Sequence, residues 1–523
     1  MYIKRYRMRA RTSTGNFKFF RAPRLAGCLR ATGGAGFGRR NQSLSTCVAG
    51  KRGLTTSFDT SPGAKLLIQN HHHEPTRTLR PDKLNPGLQG LTRTHYLYTS
   101  FQIMQATTPL SPFPESPFPP IRRRTGCSLA LRLCFALAFL SLAPSATAEP
   151  PNVLLILADD LGYGDLGSYG NPIVQTPRLD GLAREGIRLE RNYAAAPVCM
   201  PSRVALLSGM YPLRTGSRMT VEGTPPELGV GFLPALFRDA GYATFAAGKW
   251  HLGHFDKPGM DAFGFDEWAI NAPGGWSDFF DYTLYTDTGA TPSNGRYATD
   301  VVTEATLDFL ESHADEPFFV YLAYTAPHFP LQAPESEVAA YKDRGLPAGT
   351  EIVYGMITRM DRQIGRVLDL LESQDRLDDT IVVFLSDNGP RFGAWQGLEQ
   401  ERWNAGLRGA KGMVWDGGLR VPGIVRWPAG GLPAAAVRSQ TVHMVDWFPT
   451  LLSAAGLDPT VSGGARRDGI DILPVLRSGE PVERPALYWS YNKVRPSPLS
   501  NAAVLDWPFK LVRAPIPRMN RFD

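Results

Sequence analysis

Cysteine is scarce, five in 523 residues, and four of the five (Cys28, Cys47, Cys127 and Cys134) fall within the first 148 positions. Acidic residues are scarce in that same stretch: residues 1–148 carry 22 Lys and Arg against 4 Asp and Glu. Sustained apolar periodicity is missing from residues 1–103, which hold scattered bases and the run His71-His72-His73, so nothing there promises a packed core. Each lack excludes something. The overall charge of +7 and the isoelectric point near 9.1 belong to the N-terminal stretch. The remainder holds 34 basic and 45 acidic residues, a net of −11, and basicity therefore gives no argument for a nucleic-acid partner. A single thiol downstream excludes an internal disulfide there. It leaves Cys199 as either an inert core residue or a chemical one.

One long apolar run is present, "CSLALRLCFALAFLSLAP", after the Pro-rich "PLSPFPESPFPP" and the basic "IRRRTG", and before "SATAEPP". That order matches a secretory signal. Arg122, Arg123 and Arg124 form the basic region, the apolar region is short and interrupted by Arg132, and Ala146-Thr147-Ala148 is an A-x-A cleavage site. We expect translation from Met104, which makes residues 1–103 a disordered extension or an artefact of the gene model. Residues 104–148 are the Pro-rich segment and signal, and cleavage near Ala148 leaves Glu149 first in an exported, periplasmic or extracellular chain. No stable membrane insertion is expected; an uncleaved anchor is the alternative reading.

From residue 149 to about 480, β-branched runs alternate with helical patterns, the mark of an α/β fold with a large, mostly parallel sheet sandwiched by helices. Helices are predicted near Arg178–Glu185, Ser202–Ser208, Leu233–Ala240, Ala298–Ser312, Val353–Ser373 and Val445–Ala455. Residues 481–523 change to short strand-like pieces, "ALYWSY" and "AVLDWPFKLVR", predicting a small, partial antiparallel C-terminal subdomain. Four strand-like runs end in polar clusters: "NVLLILADD" in Asp159 and Asp160, "YATFAAGKWH" in Lys249 and His251, "FFVYLAYTAPH" in His328, "TIVVFLSDNG" in Asp387 and Asn388. Ligand sites of open α/β sheets gather outside the carboxyl ends of strands. The four clusters can therefore converge.

Adjacent Asp159 and Asp160 cannot both ionise cheaply without a cation or strong donors. With Asp387 and Asn388 they make a hard, all-oxygen set that suits Ca²⁺ better than Zn²⁺, while a plain pair of loop carboxylates is the bland alternative. In "APVCMPSRVALLSG", Pro201 suits the first turn of a helix, Ser202 or the backbone before it can cap, and Gly209 closes the segment. The helix N-terminus and Arg203 make a positive corner beside Cys199.

"CMPSR" matches the C-x-P-S-R signature of the sulfatase family. "SGMYPLRTG", "GKWHLG", "APHFPLQAP", "SDNG" and "LRGAKGMVWDGGLRVP" resemble its remaining blocks in order, so the similarity runs from about Asn152 to the C-terminus. The resemblance implies an alkaline-phosphatase-like fold and hydrolysis of an aryl or carbohydrate sulfate monoester. It further implies that Cys199 is oxidised by a maturation enzyme, acting on the unfolded chain, to formylglycine, whose hydrate is the nucleophile. It assigns Asp159, Asp160, residue 199, Asp387 and Asn388 to Ca²⁺, and Arg203 and Lys249 to the hydrate and ion site. His251 falls to the second hydroxyl of residue 199, and Lys249, His328, Lys411 and Ser277 to the sulfate ester. A phosphate mono- or diester hydrolase of the same superfamily is the nearest rival, and a non-catalytic calcium-binding protein the rival from another class.

Overall fold

The computed structural model describes residues 150–217, 231–252, 259–275, 277–460, 466–491 and 501–513, together with three short strands, Cys47–Val48, Leu54–Ser57 and Leu67–Asn70, that pair antiparallel in that order. Residues 1–122 and 123–523 are separate units. The signal sequence read between Arg122 and Ala148 lies outside the described residues.

The second unit is built on a ten-stranded sheet. Its strands are β1 (Asn152–Ala158), β2 (Ile187–Tyr193), β3 (Ala243–Lys249), β4 (Glu267–Ala272), β5 (Thr283–Thr286), β6 (Gly289–Pro292), β7 (Phe318–Ala323), β8 (Thr380–Ser386), β11 (Gly423–Arg426) and β12 (Ala436–His443). A hairpin of β9 (Gly393–Trp395) and β10 (Leu398–Gln400) stands apart. The spatial order is β12-β2-β11-β8-β1-β7-β3-β4-β5-β6. The middle, β8-β1-β7-β3-β4, is parallel throughout. Antiparallel strands enter on both sides, as β11 between β8 and β2 and as β5 and β6 at the far edge. Every residue of β1, β3, β7 and β8 is buried, which explains why they read as continuous apolar runs instead of alternating ones.

Helices cover both faces. Those longer than one turn are α1 (Pro177–Glu185), α2 (Cys199–Ser208), α3 (Leu233–Asp239), α4 (Ala298–Ser312), α5 (Ala348–Ser373), α6 (Trp447–Ala454) and α7 (Leu473–Ser478). One core layer joins α2, α3, α6 and α7 to one face through Leu206, Phe237, Trp447 and Leu476, and the other joins α1, α4 and α5 to the opposite face through Leu179, Phe309 and Ile364. Two predicted helices begin three or more residues before the expected start. α5 starts at Ala348, five residues early. α2 starts at Cys199, three residues early, because Pro201 occupies its first turn, where a missing N–H costs nothing. Ser202 is therefore no cap. It lies inside the helix, its hydroxyl 2.9 Å from both the N–H and the carbonyl of Ala196.

The C-terminal piece is a three-stranded antiparallel sheet of β13 (Leu487–Tyr491), β14 (Asn501–Asp506) and β15 (Phe509–Arg513). The run "AVLDWPFKLVR", read as one piece, bends at Trp507-Pro508 into two strands. This sheet packs through Leu487, Trp489 and Tyr491 on Ala196, Val198, Val414 and Leu419, the loops on either side of the site described next.

Candidate active site

At the carboxyl end of β1 two consecutive aspartates reach one site, although neighbouring residues of a strand point to opposite faces. The backbone achieves this by turning into the left-handed region at Asp160, φ 63°. Asp160 N–H donates to Asp387 Oδ1 at 3.2 Å, and Asp387 N–H donates to the Ala158 carbonyl at 3.1 Å, so the ends of β1 and β8 are tied together. On β3, Gly248 adopts φ 95°, and a Cβ there would stand 2.0 Å from the Ala323 carbonyl. Only glycine allows β3 to pass β7 this closely and deliver Lys249. His251 follows with φ 60°, its ring against Gly275, where a Cβ would come within 2.5 Å of the imidazole.

The charged groups form one buried lattice. Lys249 Nζ lies 2.6 Å from Asp159 Oδ2. Arg203, one turn into α2, donates from Nε to Asp387 Oδ2 at 2.9 Å and from an Nη to the Lys249 carbonyl at 3.0 Å. Lys411 Nζ lies 2.6 Å from Asp160 Oδ1, which also accepts from Asn388 Nδ2 at 2.8 Å. His328 Nε2 is 3.7 Å from Asp160 Oδ2, while its Nδ1 is 2.7 Å from the Phe329 carbonyl. The loop carrying Lys411 is fixed to the one carrying Cys199 by Gly412 N–H donating to the Pro197 carbonyl at 2.7 Å.

Burial and crowding set the protonation. Burial, followed by the charge of Asp159, raises the Asp387 carboxyl to about 6; burial also raises Asp159, against the pull of Lys249 and Arg203. Asp160 goes the other way, since the charge of Lys411 and the hydrogen bonds from Lys411 and Asn388 outweigh its burial and hold it well below the usual carboxylate range. His251 and His328 are both pushed well down, by burial first and by neighbouring Lys249 and Lys411 respectively, and so are neutral at pH 7. Lys411 overcomes its burial through Asp160 and stays a firm cation.

Two oxygens tell what the lattice lacks. Asp159 Oδ1 and Asn388 Oδ1 are buried and accept no hydrogen bond, an expensive condition for polar atoms unless something else coordinates them. Ligand atoms of Asp159, Cys199 and Asp387 lie within 4.8 Å of one another, as do those of Asp159, Asp160 and His328. A hard cation fits this oxygen-rich set, and Cys199, fully inside at the first position of α2, faces it.

A family model described as "Sulfatase" matches residues 151–457. The chain belongs to the sulfatase family. It is an enzyme that hydrolyses sulfuric esters. N-acetylgalactosamine-6-sulfatase of Sus scrofa is 34% identical over 411 residues, 72% of this chain and 75% of that protein. Arylsulfatase J of Mus musculus is 33% identical, over 64% of this chain and 57% of its own. Among solved structures, Ps i-CgsB in complex with k-i-k-neocarrahexaose superposes with a TM-score of 0.64 at 29% identity, covering 70% of this chain and 84% of that one. The phosphonate monoester hydrolase of Agrobacterium radiobacter shares the fold, at a TM-score of 0.51 and 23% identity, over 69% of this chain and 87% of that one.

In this sulfatase the residues expected from the sequence to share a site, Asp159, Asp160, Cys199, Arg203, Lys249, His251, His328, Asp387, Asn388 and Lys411, surround one buried lattice. Ser277 is tied to it least directly: its hydroxyl donates to the Asp278 carbonyl at 3.1 Å, two residues beyond the Gly275 that backs His251. Sequence reasoning missed three neighbours. Arg402 and Asp165 pair beneath Asp160, side chains 1% exposed, and a buried Arg carries no mark that separates it from a surface one. Tyr491, at the end of β13, has its hydroxyl pKa raised by burial first and lies close enough to Lys411 to respond to its charge; only the packing of the C-terminal sheet brings it there.

Proposed function

We propose that this sulfatase cleaves the sulfate monoester of a carbohydrate, using formylglycine made from Cys199 and a calcium ion held by Asp159, Asp160, Asp387 and Asn388. The observation that carries the reading is the pair of buried oxygens, Asp159 Oδ1 and Asn388 Oδ1, that accept no hydrogen bond, together with the cluster of Asp159, Cys199 and Asp387, whose ligand atoms lie within 4.8 Å of one another. A carbohydrate substrate is supported by the names of the relatives, N-acetylgalactosamine-6-sulfatase first among them.

When present, the ion masks the charge of a sulfate ester and the hydrated aldehyde offers one hydroxyl for attack and another for release. The chain's own groups do the rest. Arg203 and Lys249, locked on Asp387 and Asp159, keep those carboxylates fixed and compensate their charge. Asp387, whose ligand atom lies within 4.8 Å of that of residue 199, is placed to take a proton from it. His251, neutral and with an unpartnered Nδ1, is the second base. On the leaving side, Lys411 is the standing donor. His328 gives its Nδ1 hydrogen to the Phe329 carbonyl, which leaves Nε2 an acceptor until an arriving sulfate anion raises its pKa.

Maturation by a formylglycine-generating enzyme before folding, and export before action, complete the proposal. Because Cys199 is 3% exposed, a modifying enzyme reaches it only in the unfolded chain. Sulfate release from sulfated sugars and aryl sulfates, and phosphate release from an aryl phosphate, each with and without calcium chelation, test the reading. Chelator-sensitive release from a sulfated sugar is the expected result; release that prefers phosphate or ignores chelation contradicts it.

A further inference from the structure

Beneath the site, Arg402 and Asp165 form a buried ion pair that touches no reacting group, yet binds the one backbone unit on which the cluster depends. Arg402 donates from an Nη to the Asp160 carbonyl at 2.9 Å. Its Nε donates to Asp165 Oδ1 at 3.2 Å and an Nη also reaches Asp165 Oδ2, which accepts the Gly162 N–H at 2.6 Å. Asp160 is the residue held at positive φ, a conformation that is strained for any residue with a Cβ and persists only where its surroundings enforce it. Its N–H is fixed from above by Asp387 and its carbonyl from below by Arg402.

We infer that Arg402, anchored by Asp165, is a positioning residue that holds the left-handed turn at Asp160 and so sets the aim of its carboxylate at the cation. The pair is neutral as a whole, so it braces the turn without adding a net charge to compete with the ion or with Lys411. Guanidinium geometry is needed for this, because one planar fork must serve a carbonyl and both oxygens of a carboxylate at once. Lysine offers a point charge that can compensate buried Asp165 but cannot hold both partners in that arrangement.

The inference rests on the calcium reading above, and its test separates the two. Calcium binding by the chelator-stripped full chain is titrated calorimetrically for the wild type, Arg402→Lys and Arg402→Met, alongside thermal unfolding, kcat and KM for a sulfate ester. Arg402→Lys, which keeps Asp165 paired, is expected to fold with a melting temperature close to wild type. Its calcium Kd rises by about 10- to 100-fold, with kcat at fixed calcium lowered and restored by excess calcium. Arg402→Met, where it folds, shows at least as large a loss. Wild-type calcium affinity in a folded Arg402→Lys protein overturns the brace. Absence of calcium binding in the wild type itself overturns the calcium reading, and the brace falls with it.

Discussion

Asp159 and Asn388 each bury an oxygen that accepts no hydrogen bond, and Cys199 spends the head of a helix on a position where packing alone would accept any small residue. These are costs that a merely stable fold would avoid. Replacing Cys199 by Ala removes one buried sulfur and should cost little stability, about 1 kcal/mol. Sulfate release should nonetheless fall by at least about 10³-fold, the scale of losing a nucleophile. A steady-state assay with circular dichroism on the same sample checks both halves; retained turnover would return Cys199 to the core. Most of these residues were legible in the sequence because each ends a long apolar run or sits in a short signature. Arg402, Asp165 and Tyr491 were not, since their importance comes from what lies over them, and chain order does not show that.

The elements explain how such distant residues meet. Four buried parallel strands, β8-β1-β7-β3, end side by side, and α2 lays its N-terminus across their carboxyl ends. The strands were readable as runs of Val, Leu, Ile and Phe; β5, β6 and the split of β14 from β15 were not, because short, half-exposed strands lack a strong pattern. Gly248 is the narrowest passage in this arrangement. Gly248→Ala should destabilise the protein by about 2–4 kcal/mol, combining strain at φ 95° with collision against the Ala323 carbonyl. It should also reduce kcat by displacing Lys249. Urea unfolding and kinetics together decide this, and a variant with wild-type stability would show that β3 and β7 are looser than described.

At the scale of the whole molecule, stability should depend on the ion and on pH. Calcium at about 100 times its Kd should add about 2.7 kcal/mol to unfolding, read as a rise in melting temperature that chelation reverses. Asp361 gives a separate signature: it caps α1 from α5 by accepting the N–H groups of Leu179 at 2.7 Å and Arg178 at 3.1 Å. Burial, with Asp180 adding to it, raises its carboxyl from 3.8 to about 7 against those bonds. The folded state thus binds this proton more tightly than the unfolded chain does. Its contribution is full below pH 3.8 and is lost as pH rises through about 7. The stability difference between wild type and Asp361→Asn should therefore shrink in favour of the variant from pH 5 to pH 8 in urea titrations; a difference constant with pH would refute it. The C-terminal sheet belongs to this scale too, since Trp489 Nε1 donates to the Ala194 carbonyl at 2.8 Å and Lys510 reaches Asp416 at 2.5 Å, steadying both loops of the site.

All of this turns on residue 199. Peptide mass spectrometry of preparations matured to different extents gives the fraction of residue 199 that has lost H₂S and gained oxygen, and sulfate release from a sulfated sugar is measured on the same samples. The two should rise together from a common zero. Full sulfate release by protein in which residue 199 remains entirely a thiol would contradict the account.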